Sequence, residues 1–197
     1  MLSEVDICNL ALSESFCSEI QSLTAQSREA ETCNRFYYQC RDIMLSGYDW
    51  KFNQVRRSLA LSSQEVPNDW AYAYEVPSDC LKDVGIFQSN RKPVFEIPYV
   101  IESKNSVDEK VLYTDEVEAI LIYRKKITVT NMFSPMFIEA LSHLLGSKIA
   151  MALKQDINLA NIRMTNFWQT ISRATSLESS LQGKSKETDT ELVISRS

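Results

Sequence analysis

The chain has 197 residues, 44% of them hydrophobic and 24% charged, which suits one globular domain large enough to bury a core. Its 21 basic and 26 acidic residues leave a net charge of −5, which argues against a protein that grips nucleic-acid phosphates directly. The five cysteines are odd in number and two lie on the apolar stripe of a predicted helix, so they read as reduced core residues from a cytoplasmic setting and not as a disulfide framework; no Cys-x-x-Cys occurs, and four glycines leave little for a glycine-rich phosphate loop.

The opening residues Met1-Leu2-Ser3-Glu4-Val5-Asp6 are acidic and lack the apolar stretch of a signal peptide. They predict instead a first helix over 3–14. Ser3 and Asp6 form a capping box, and Leu2 and Ile7 form a hydrophobic staple. Ile7, Leu10 and Ala11 give one partly apolar face. Residues 15–26 read as a connection. Ser27 then caps a second helix whose first turn carries Glu29 and Glu31, where the helix dipole favours acids. Ala30, Cys33, Tyr37, Cys40 and Met44 recur at helical spacing, widened by Phe36, Ile43 and Leu45, and Gly47 is a natural stop.

From Trp50 the pattern turns extended. The stretches 57–61, 94–101, 110–114 and 118–130 are rich in β-branched and aromatic residues and are separated by turn clusters. Pro67, Pro77, Pro93 and Pro98 break this region into short pieces. Ile120–Tyr123 is the best central strand, and Ser78-Asp79-Cys80-Leu81 reads as a capped single helical turn. Trp70, Tyr72 and Tyr74 alternate with alanines, giving an extended segment with one aromatic face. Without interleaved basic residues, that face suits a core or a subunit contact better than base stacking.

Helix returns at Ser134-Pro135, a cap followed by proline in the first helical position. Phe137, Leu141, Leu144, Leu145, Ile149, Ala152 and Leu153 form its broad apolar face. Asp156 caps a last helix with the stripe Ala160, Met164, Phe167, Trp168, Ile171, Ala174 and Leu181. Beyond Gly183 the chain is polar and ends in a small apolar patch, Leu192-Val193-Ile194, suited to ordering on a partner. The expected fold is α+β, mainly α: an antiparallel helix bundle from 1–50 and 133–183, a β-rich insertion at 51–132, and a flexible tail at 184–197. No apolar run approaches the length that crosses a bilayer, so no membrane partner is expected.

Little chemistry is legible. His143, the single histidine, falls on the polar side of its helix and reads as a surface residue. Neither Cys80 nor His143 sits in a signature that would make them a dyad, and no zinc spacing exists. Gly146-Ser147-Lys148 lacks the upstream glycine of a phosphate loop. The residues thus point to a non-enzymatic building block without catalytic residues, cofactor or metal.

An ordered set of motifs goes further. It consists of Glu29-Ala30-x-x-Cys33-x-x-x-Tyr37-Tyr38-x-x-Arg41, Trp50-Lys51-Phe52, Leu59-Ala60, and Pro67-x-x-Trp70-Ala71-Tyr72-Ala73-Tyr74-x-x-Pro77-Ser78-Asp79-Cys80-Leu81. Together these resemble the head-to-tail adaptor proteins of short-tailed bacteriophages, the tail tubular protein A type, most densely over residues 29–87. The resemblance implies a virion protein made in the host cytoplasm. It implies a twelve-subunit ring that joins the portal protein to the tail nozzle protein and lets double-stranded DNA pass without sequence-specific binding. It supplies no catalytic residues. The chain departs from the family where a glycine turn often follows the first helix: Ser13-Glu14-Ser15-Phe16 stands here. Other readings are a different connector, stopper or minor tail protein, a small hydrolase using Cys80 or His143, or a cellular scaffold.

Overall fold

The computed structural model describes the backbone of residues 2–88, 97–104 and 109–194, and the side chains of these residues except Gln88 and 178–194. Pro93 and the start of the expected 94–101 strand lie outside that description. Among the described residues there are four α-helices: α1 (Glu4–Glu14), α2 (Arg28–Gly47), α3 (Pro135–Ile149) and α4 (Ile157–Ile194). Six strands are described: β1 (Gln54–Ser58), β2 (Tyr72–Glu75), β3 (Cys80–Gln88), β4 (Tyr99–Ser103), β5 (Lys110–Thr114) and β6 (Ala119–Lys125). The chain forms two compact units, Met1–Met44 with Thr128–Ser197, and Leu45–Ile127.

The expected antiparallel helix bundle with a central β insertion is not the observed fold. The fold is α+β: the described residues form four helices and two three-stranded antiparallel sheets ordered β1-β6-β3 and β2-β5-β4. Two physical reasons account for the difference. The helices differ in length: α1 has 11 residues, α3 has 15 and α4 has 38. α3 is buried over most of its surface, with Phe137, Ala140, Leu141, Leu144, Leu145 and Ile149 inside, and both α1 and α4 pack on it. The middle of the chain, for its part, has enough alternating apolar residues to build its own core. Tyr74 and Leu112 from one sheet meet Ile86, Ala119, Leu121 and Tyr123 from the other.

Local signals explain the helix starts. Ser3 Oγ accepts from the Asp6 N–H at 3.1 Å, and the Asp6 carboxylate accepts from the Ser3 N–H at 2.7 Å, completing the capping box. Ser134 caps α3 at Phe137 (3.3 Å), and Asp156 caps α4 at Asn158 (2.9 Å) and Leu159 (3.0 Å). The backbone of α4 continues through Gly183 to Ile194, past the point where the sequence suggested a polar tail. One helical glycine costs only about 1 kcal/mol, and no proline stands in the way. Pro135–Lys154 is, among the described residues, a helical stretch long and apolar enough by composition to cross a membrane, which the sequence reading missed; 61% of its most apolar window is buried in this fold.

The strands also differ in detail. Ile120–Tyr123 does lie in the central strand β6. Ser78-Asp79-Cys80-Leu81 is not a helical turn, because β3 begins at Cys80. The Cys80 N–H bonds to the Pro77 carbonyl at 2.9 Å, so the segment is a tight turn that launches a strand. β5 is buried from Val111 to Thr114, with Leu112 facing the inter-sheet core and Val111 and Tyr113 facing the other way.

Candidate functional site

In the β unit, the resemblance motifs hold the fold together. Trp50 is 3% exposed and stacks obliquely near Phe52, with ring centroids 6.1 Å apart. The buried Asn53 that follows donates to the Leu45 carbonyl at 2.8 Å. Arg124 of β6 reaches the Ser46 carbonyl and the Asp49 carboxylate, which ties this segment to the first sheet. Tyr74 is buried, and its hydroxyl faces the carbonyls of Glu116 (2.7 Å) and Val117 (2.5 Å) in the β5–β6 turn. Tyr72 and Tyr74 lie on one face with centroids 6.3 Å apart. Trp70 does not join them. It precedes the strand, where period-two alternation no longer applies, and packs with Val66 against Ala73, Val111 and Tyr113 on the opposite face.

Pro77 and Leu81 are half-buried, one on either side of the turn. Asp79 inside it accepts from the Tyr123 hydroxyl at 3.0 Å and pairs with Lys125 at 3.4 Å. Pro77, Ser78 and Cys80 line a cavity of about 550 Å³, with Arg57, Lys104 and Lys110 on its wall. Its most buried cation is already committed: Lys104 bonds Glu75 at 3.1 Å and Glu109 at 2.9 Å. Burial, then the nearby Asp83 carboxylate, push the Cys80 thiol up to about 11, far from a thiolate nucleophile at neutral pH.

In the helical unit, the buried stripe of α2 is the expected one: Ala30, Cys33, Tyr37, Cys40 and Met44. Ile43, expected to widen it, is 49% exposed. Arg41 is 3% exposed; it pairs with Asp42 at 2.8 Å, stands 3.9 Å from Glu4 of α1, and lies over the Tyr38 ring. Trp168, placed on the α4 stripe by its spacing, turns outward beside Phe167. The side chains of Leu192, Val193 and Ile194 lie outside the described residues; only their place at the end of α4 is given.

His143 is not a surface residue. Its Nδ1 is 2.9 Å from Glu14 of α1, its Nε2 is 4.0 Å from Glu139, and its side chain is 12% exposed. Arg163 of α4 reaches the same Glu14 carboxylate at 3.6 Å and also donates to the Glu14 backbone carbonyl. Ser15 Oγ lies 3.2 Å from the Gly146 carbonyl, so the C-terminal end of α1 is fastened to α3 and α4 by a polar knot. An isolated helix face taken by itself could not show that neighbouring helices would supply these partners.

Two apolar features were not anticipated. An open cup of about 320 Å³ between α1 and α3 is lined by Leu2, Leu10, Glu14, Pro135, Ile138, Glu139 and Ser142. Phe16, at the end of α1, is 76% exposed and has φ 55°, a left-handed conformation rare for an aromatic residue. Among the described residues, no three His, Cys, Asp or Glu side chains are grouped to hold a metal ion. No protein-family model matches the chain, and the curated proteins contain no match to it.

Proposed function

We propose that this chain is a head-to-tail adaptor of a short-tailed bacteriophage: a ring component that joins a portal to a tail nozzle and surrounds a path for double-stranded DNA. The observation that carries the reading is the ordered motif set over residues 29–87. In the fold these motif residues do scaffold work, as expected of a structural protein. Arg41 ties α2 to α1, Trp50 is buried at the entry to the β unit, and Tyr74 and Asp79 strap its turns. Exposed Phe16, Ile157, Ile162 and Trp168 in the helical unit offer apolar contact area for sister copies or a vertex protein. The negative charge also suits a conduit, since sliding DNA should not be held by many cationic contacts; twelve copies would carry roughly −60.

The end of α4 is assigned to the portal. Deleting residues 184–197 should leave a folded protein that docks poorly on its portal, checked by co-sedimentation of the full-length and shortened chains with assembled portal rings. Equal docking by the two would remove that assignment.

A further inference from the structure

Phe16 occupies the C′ position of α1, where a glycine is normally found because only glycine adopts a left-handed backbone without steric cost. The full Schellman pattern is present: the Cys17 N–H bonds the Leu12 carbonyl at 3.0 Å, and the Phe16 N–H bonds the Ser13 carbonyl at 3.1 Å. The loop behind it is pinned. Asn9 and Ile20 exchange two hydrogen bonds, at 2.8 and 3.0 Å, and Ser15 is held against Gly146. The aromatic ring is therefore strained at its backbone, exposed to water, and presented on a rigid mount. With 76% of Phe16 exposed, little of the ring is buried within its own chain to offset that strain, and a strained residue kept on a rigid mount points to use elsewhere.

The same helical unit carries the complementary feature. The cup walled by Leu2, Leu10, Pro135 and Ile138 has about twice the ~150 Å³ that admits a benzene-sized guest. Leu2 and Leu10 remain 42% and 40% exposed there. The rim acids Glu14 and Glu139 are held by His143 and Arg163, and carboxylates at the rim suit the positive edge of an aromatic ring. Phe16 does not line the cup of its own chain.

We infer that Phe16 of one copy seats in the Leu2–Leu10–Ile138 cup of the next. A knob and a hole at different places on one molecule can be exchanged reciprocally in a two-fold dimer or joined head to tail; the ring reading selects the head-to-tail form, a heterologous contact that closes into rings or runs on as chains. The rigid mount reduces the ordering cost of the contact. This inference deepens the reading of the chain as a ring component and rests on it.

The test is sedimentation equilibrium of the full chain, up to millimolar concentration, for wild type, Phe16→Gly, Leu10→Glu and an equimolar mixture of the two variants. Wild type should associate beyond a dimer, and each variant alone should stay monomeric. The mixture should form pairs and stop there, because one partner keeps only the cup and the other only the knob. Phe16→Gly should melt above wild type, which separates lost association from lost folding. Wild-type-like association of Phe16→Gly, a mixture that stays monomeric, or a wild type that is single throughout would each overturn the contact. A wild type that is single here yet assembles on a portal would remove this contact and leave the adaptor reading standing.

Discussion

Phe16 and Cys80 show how much a single backbone angle or a single burial can decide. A non-glycine residue in the left-handed region costs on the order of 1–2 kcal/mol. Phe16→Gly should therefore stabilise the isolated chain by about 1 kcal/mol, read as a rise in the thermal midpoint; a fall would show that the ring contributes to the fold. For Cys80, a thiol pushed up to about 11 is almost entirely protonated at neutral pH. Its alkylation, followed by peptide mass mapping, should be slow at pH 7 and climb until about pH 11. Fast labelling at neutral pH would revive the hydrolase reading. Neither property was legible beforehand: a strained φ has no composition signature, and a half-buried thiol looks like any other cysteine in sequence.

The helices supply the next scale. The Asp6 carboxyl is held below its ordinary value by hydrogen bonds from the Ser3 backbone and hydroxyl. A depressed carboxylate stabilises α1 fully above its unfolded value near 3.8 and loses that contribution as the pH falls through the lower, folded value. Helicity of α1 should thus weaken below pH ~4 in wild type, and Asp6→Asn should flatten that dependence; amide exchange of α1 against pH is the measurement. Gly146 of α3 faces the C-terminal end of α1. A Cβ there would meet Ser15 Oγ at 3.5 Å, the Ala11 carbonyl at 3.6 Å and Arg163 Cδ at 3.7 Å, all ordinary contacts. Gly146→Ala should gain up to about 1 kcal/mol from helix propensity in a chemical denaturation curve, whereas Gly146→Leu should lose stability by prising the helices apart.

Caps and stripes were the legible part at this scale. Ser3, Ser27, Ser134 and Asp156 act within their own helix, so their neighbours in sequence suffice to find them. Trp168 and His143 were misplaced because partners distant in sequence decide which way a flanking side chain faces. Trp70 departs from the alternation because it stands before the start of β2.

At the scale of the molecule, the sequence located the helical ends and the β-rich middle but not their architecture. Two sheets closing on a core of Tyr74, Leu112, Leu121 and Tyr123 require pairings such as β1 with β6, some 65 residues apart, that no local pattern encodes. The candidate contacts followed the same rule. The motif residues of 29–87 were visible, whereas the cup arises only where α1 and α3 meet. The central claim is that this chain assembles on a portal as a ring. The most direct measurement is the mass of complexes formed when the purified full-length chain is mixed with assembled portal rings, followed by imaging of the product. The account predicts a ring of this chain on one face of each portal, with one copy per portal subunit. A chain that remains single and leaves the portal mass unchanged would contradict it.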